Sequence, residues 1–363
     1  MQFKLPKYRV PDFASTAFAS APDVTVEPAP MDSVAPENFH ATSIYPEYFK
    51  VAGAWKLAPV SRMDCVVVIE GDELLVKEMR RLNKGDLVVV GRDDDISQGV
   101  YIHSEPFEGE NKEHTDPFFF RSSRSRETPM SRDYECLEAL LEYESEDDHG
   151  HICWVLGPAV VFDYYSRQVM AGLIEAGYVH SVLAGNAVAT HDLEGALFGT
   201  ALGNDIHTNI PTSGGHYCHI DLINKVRNCG SIEAFIKKYD IKEGIMAACT
   251  RQRIPYVLAG SIRDDGPLPG VYPDVYAAQD AMRALTDKAT TVICMATQLH
   301  SIATGNMTAC FRKTEGTIRP VYFYIVDTAE FASNKLRDRG SLSAISITTN
   351  VHDFLGNISR RLL

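Results

Sequence analysis

Apolar runs of strand length recur along this chain, and in its second half stretches with helical spacing separate them. Residues 152–162 (ICWVLGPAVVF) read as a buried strand ending in Gly-Pro. Asp163 then predicts a helix N-cap, Val169, Leu173 and Ile174 share a helical face, and Gly177 stands where a helix stops. Val179 to Leu183 is a second buried strand, and it empties into Gly185-Asn186-Ala187. The pattern repeats with strands at Tyr256–Gly260, Thr290–Ala296, Val321–Val326 and Ala344–Thr348, and with helices near 191–202, 217–229, 231–239, 243–252, 275–285 and 329–338. Alternating strands and helices predict an α/β domain over 149–363, its parallel sheet covered by helices on both faces.

The first half has a different rhythm. Short β-runs separated by Gly and Asp, clearest at Met63–Glu70 and Asp86–Gly91, predict a small mostly-β domain within 39–148. Asp133–Tyr143 has helical spacing, and the acidic, turn-like stretch Glu142–Gly150 reads as a hinge between the domains. Residues 1–38, rich in Pro, Ala and Ser, lack sustained periodicity and read as a flexible arm.

In a parallel sheet the carboxyl ends of the strands share one edge, so the loops that follow them converge on one crevice. Four predicted strand ends carry small or polar residues: Gly185-Asn186-Ala187, Gly260-Ser261, His300-Ser301 with Gly305-Asn306, and Asp327. A glycine lets a backbone approach a phosphate or nicotinamide closely. Asp327 suits ribose hydroxyls as well as it suits a helix N-cap. His191, Asp192 and Glu194 suit an amino group, a ribose, or simply the first turn of a helix. His300 titrates in the range that proton transfer needs, and Asp264 and Asp265 lie side by side on the loop after Gly260, at a different strand end of the same edge.

Composition narrows the class. The 363 residues are 45% hydrophobic and 23% charged, as in a soluble globular protein, with no run near the ~18 apolar residues of a membrane span. A net charge of −13 argues against a general nucleic-acid binder. The N-terminus lacks the apolar core of a signal peptide, and the 8 cysteines are scattered without a CxxC pair. These features predict a cytoplasmic protein with reduced thiols and no metal site.

Several long motifs then resemble one family: WVLGPAVVFDY, SVLAGNAVATHDLEG, LAGSIRDDGPLP, LHSIATGNM and, after the strand ending in Asp327, DRGS at 338–341. It is the NAD-dependent, archaeal-type ornithine cyclodeaminase family (LOR/SDH-related), which also forms the C-terminal half of bifunctional arginine dihydrolases. FHATSIYPEYFKV and SRMDCVVVIE resemble its N-terminal module. A more distant resemblance is to deoxyhypusine synthase. The resemblance implies a Rossmann-like domain, NAD as cofactor and a redox-neutral conversion of L-ornithine to L-proline and ammonia. Hydride leaves the α-carbon, the terminal amine attacks the resulting imine, ammonia departs and the hydride returns. Asp264, Asp265 and His300 are then the expected catalytic groups. Gly185, Asn186, Ala187, His191, Asp192, Gly260, Ser261, Ser301, Gly305, Asn306 and Asp327 are expected around NAD. Arg62, Asp64 and Arg263 are candidates for holding the amino-acid substrate, because a guanidinium fork fits a carboxylate. The unpaired strand edges of the small module and the arm predict a homo-oligomer.

Overall fold

The computed structural model describes residues 3–93, 95–108, 131–264, 266–314, 316–339 and 343–363. Six strands form one parallel sheet: β1 (Ile152–Leu156), β2 (Ser181–Gly185), β3 (Tyr256–Ala259), β4 (Thr291–Met295), β5 (Tyr322–Asp327) and β6 (Ala344–Thr348). Their spatial order is β3-β2-β1-β4-β5-β6, with every neighbouring pair parallel. This is the order of dinucleotide-binding folds, in which the direction of winding reverses between β1 and β4 and opens a crevice at the strand carboxyl ends.

Burial explains the unbroken apolar runs of the central strands. All five residues of β1 and of β4 are buried. Ile152, Trp154 and Leu156 enter one core, while Cys153 and Val155 enter the other. A strand buried on both faces has no polar side to alternate with. The first core is closed by α1 (Ser131–Glu146), α2 (Tyr164–Glu175), α3 (Asn186–Phe198), α4 (His216–Cys229), α5 (Ile232–Lys238) and α6 (Ile245–Gln252). The second lies under α7 (Val275–Thr286), α8 (Gln298–Met307) and α9 (Phe331–Arg339). The last helix, α10 (Val351–Leu362), returns to the first core through Phe354, Leu355 and Ile358.

The small N-terminal region contains two antiparallel sheets. One runs in the order 25–28, 87–90, 65–70, 73–78, and the other in the order 54–57, 47–51, 100–102. The predicted arm is part of this region. Thr25–Pro28 pairs along Leu87–Val90, and Phe13 and Phe18 pack edge-on and stacked against Tyr48, Trp55 and Tyr101. Aromatic burial within its own chain holds a segment whose sequence shows no period.

The stretch read as a hinge is an anchor instead. Glu144, fully buried near the end of α1, accepts hydrogen bonds from the hydroxyls of Thr290 (2.7 Å) and Thr291 (2.9 Å) at the start of β4, and it pairs with Arg319. A buried carboxylate with three donors fixes the helix to the sheet.

Candidate active site

Six helices follow the carboxyl edge of the sheet directly or through a loop, and their caps separate them. Asp163 caps α2, Asp274 caps α7 and Asn350 caps α10, each side chain accepting a backbone N–H three residues on. The N-termini of α3 and α8 have no side-chain cap; their N-cap residues are Gly185 and Thr297. The first amides of a helix need acceptors, so two uncapped N-termini at the ends of β2 and β4 present donors and positive dipole ends to an anion.

His300 and Gly185 meet at this edge. A Cβ placed on Gly185 would stand 3.2 Å from His300 Cε1. The imidazole, in the first turn of α8, fills the space that the missing side chain leaves. Burial pushes its pKa below the ordinary value, which keeps the ring neutral at physiological pH. No described residue hydrogen-bonds to it.

The loop after β3 closes over the same edge. Gly260 donates its N–H to the Tyr272 carbonyl (2.9 Å). The Asp264 carboxylate accepts the Ser261 N–H (2.8 Å) through Oδ2, and Ser261 Oγ accepts the Arg263 N–H (3.1 Å). The loop therefore rigidifies itself while Ser261 and Arg263 stay exposed. Asn186 ties it down, its Oδ1 accepting the Leu268 N–H at 2.9 Å. Ala187 is half-buried in the first turn of α3. Asp327 ends β5 half-buried, and its Oδ1 accepts the Ala329 N–H (3.0 Å). Asp265 and the DRGS residues 340 and 341 lie outside the described residues.

Several expectations need correction. Asp192 is fully buried and turned inward: its carboxylate pairs with Arg167 Nε (2.7 Å) and accepts the Ile245 and Met246 N–H groups (3.0 and 2.8 Å), so it caps α6 rather than facing a ribose. Gly305 and Asn306 are not in a strand-end turn. They occupy the last turn of α8, a helix ~15 Å long that runs away from the crevice. Gly305 instead lets α9 approach, since a Cβ there would meet the Leu336 side chain. Ser301 is buried, with its hydroxyl donating to the Thr297 carbonyl one turn back. Arg62 is buried beside Asp287 (3.9 Å), just past the end of α7 and therefore at the opposite edge of the sheet. Asp64 is an exposed turn residue with φ 63°. Neither reaches this chain's crevice.

Two features had no strong signal in sequence. Gly157, which ends β1, is pressed against β4: a Cβ there would lie 1.9 Å from the Ala296 carbonyl oxygen. Ala296 itself adopts φ 50°, a strained value for a residue with a side chain. The strands on either side of the winding reversal are thus locked together by backbone. The Gly-Pro at 157–158 hinted at the first; nothing in the sequence pointed to the second.

Known proteins resemble the whole chain. The family model for "Arginine dihydrolase ArgZ-like, C-terminal, Rossmann fold" matches residues 138–358, and that for the "first region" of the same C-terminal part matches 46–132. The ornithine cyclodeaminase of Methanopyrus kandleri is 39% identical over 343 residues, covering 94% of this chain and 78% of that protein. The bifunctional arginine dihydrolase/ornithine cyclodeaminase ArgZ of Synechocystis sp. is 34% identical, covering 94% of this chain and 47% of that protein. A conserved LOR/SDH protein of Methanococcus maripaludis S2 superposes with TM-score 0.84 at 35% identity, covering 94% of this chain and 98% of the other. The ternary complex of AgrE with ornithine and NAD⁺ superposes with TM-score 0.57 at 31% identity, covering 94% and 46%.

Proposed function

Because the chain belongs to the ArgZ-like C-terminal family, which includes the archaeal ornithine cyclodeaminases, we propose that it is an NAD-dependent ornithine cyclodeaminase forming L-proline and ammonia. The observation that carries this reading is the meeting of His300 with Gly185 between two uncapped helix N-termini.

NAD fits that edge. Its pyrophosphate needs donors and a close backbone, and the amides opening α3 and α8 beside Gly185 offer both. Asp327 keeps Oδ2 for a ribose hydroxyl. When bound, NAD supplies the acceptor and later the donor of a hydride. The chain's own residues do the rest. Arg263, exposed on the loop after β3, holds the substrate carboxylate. Asp264, with Oδ2 committed to Ser261, keeps Oδ1 for the substrate ammonium. Neutral His300 accepts a proton at an imidazole nitrogen. The loop held by Asn186 limits the entry of water. We further propose that the protein is cytoplasmic and homo-oligomeric. None of the eight cysteines is in a disulfide, and no helix among the described residues is long and apolar enough to cross a membrane.

The test is to incubate the purified protein with NAD⁺ and L-ornithine. Equal amounts of proline and ammonia, without net NADH, are the expected products. Accumulating NADH would instead make it a dehydrogenase, and an untouched substrate would reject ornithine.

A further inference from the structure

Glu194 has no exposed surface, and both of its oxygens meet donors. Oε1 accepts the Thr200 hydroxyl (2.8 Å) and the Gly203 N–H (3.2 Å), while Oε2 lies 2.7 Å from His191 Nδ1. The Gly203 amide can only donate, and no Lys or Arg among the described residues pairs with this carboxylate. A carboxylate at Glu194 offers only lone pairs, which would put the hydrogen of this contact on Nδ1. Nε2 would then keep its lone pair, and it hydrogen-bonds to no described residue. Phe162 packs at an angle against the ring at 5.9 Å, and the His219 ring lies 6.2 Å away.

The place of this pair matters. His191 lies five residues, or ~7.5 Å, along α3 from Asn186, which neighbours the glycine under His300. Phe162 ends the turn that Gly157 begins after β1. His191 therefore stands against the wall built by α3 and the β1 turn, which follow the neighbouring strands β2 and β1.

We propose that Glu194 and His191 form a proton-carrying dyad, with Glu194 the positioning residue and His191 Nε2 the group that meets the reacting amine. This rests on the function proposed above, which needs one proton removed from the substrate α-ammonium and one delivered to the departing ammonia. In the first step the N–H bond of the ammonium breaks and an Nε2–H bond forms, leaving a neutral amine and an imidazolium beside Glu194. In the second step the imidazolium returns that proton to the leaving nitrogen, so the dyad ends as it began.

Glu194→Gln is the discriminating variant. It is isosteric: the amide carbonyl replaces Oε1 for Thr200 and Gly203, while the NH₂ faces Nδ1 and forces the hydrogen onto Nε2. Holding an imidazole in the wrong tautomer costs up to ~10⁴-fold in rate with the geometry intact. We expect Glu194→Gln and His191→Gln each to lower kcat ~10²–10⁴-fold, with NAD affinity by fluorescence titration unchanged. The double variant should be no slower than His191→Gln alone, because Glu194 acts only through His191. A merely structural role predicts losses that add and weaker NAD binding. Nitrogen-15 NMR of the NAD-loaded wild type should find the His191 proton on Nδ1, and Glu194→Gln should move it to Nε2. His191→Gln turning over like the wild type, or a wild-type proton on Nε2, would overturn the dyad. A wild type that leaves ornithine intact while its Nδ1 proton is in place would overturn the function and not the geometry.

Discussion

At the residue scale the two glycines of the crevice separate function from folding. A Cβ on Gly185 would crowd the edge of an imidazole at 3.2 Å, a neighbour that can yield by tenths of an ångström, and would stand at an ordinary 3.8 Å from the Ala259 carbonyl oxygen. Gly157 meets backbone at 1.9 Å, which cannot yield without moving β4. Gly185→Ala should therefore disturb His300 and lower turnover while the melting temperature stays near that of the wild type. Gly157→Ala should destabilise the fold by about 1–3 kcal/mol or more, as overpacking does, visible in denaturant unfolding. Equal effects of both on stability would contradict this division. His300→Ala should lower kcat ~10²–10⁴-fold with NAD still bound. Because burial lowers the His300 pKa, the imidazole remains a base to lower pH than usual. The acid limb of kcat/KM should lie below ~6.5, and a limb above that value would assign it to another group. The placement of His300 at the sheet edge was legible in the sequence because it follows an apolar strand. The inward turn of Asp192 was not, since a helix carries neighbouring acids to different faces and only packing shows which face meets Arg167.

At the element scale, β1 and β2 begin beside a pair of half-buried histidines. His151 Nε2 hydrogen-bonds to Ser181 Oγ (2.9 Å), and His180 Nδ1 accepts the Ile152 N–H (3.0 Å). Burial, reinforced by neighbouring His180, Arg312 and Lys288, lowers the His151 pKa to about 4, and burial lowers that of His180 too. The unfolded chain takes up a proton at each ring below ~6.5, whereas the folded His151 resists until about 4. Stability from this site is thus complete above the unfolded value and declines as pH falls between the two. Thermal melts from pH 7 to pH 4 should show that decline, and His151→Gln should flatten it. An unchanged pH slope would locate acid sensitivity elsewhere. The strands themselves were readable from their apolar runs. The helix Gln298–Met307 was not, because His, Ser, Thr, Gly and Asn have modest helix propensity, and burial of Ser301, Thr304, Gly305 and Met307 against the second core outweighs it.

At the scale of the whole molecule, exposed apolar side chains gather on segments bordering the crevice edge. Ile262 is fully exposed, and Leu299 and Val275 keep 75% and 68% of their surface, with Phe331 close behind. Large apolar groups in solvent mark an interface when several share one region. The N-terminal arm folds onto its own chain, where Thr25–Pro28 pairs along Leu87–Val90. Light scattering at micromolar concentration should give a dimer or larger assembly, and Ile262→Asp should weaken it. A monomer would refute the assembly. Local pattern was enough to name the strands, their alternation with helices, the edge on which the loops converge and the family, because each depends on neighbours in sequence or on motifs many residues long. Which candidates face the crevice was settled only by packing. Asp192, Arg62, Ser301 and Gly305 hold elements together far from their sequence neighbours, and whether a polar group serves the core or the site depends on partners that the folded chain brings to it.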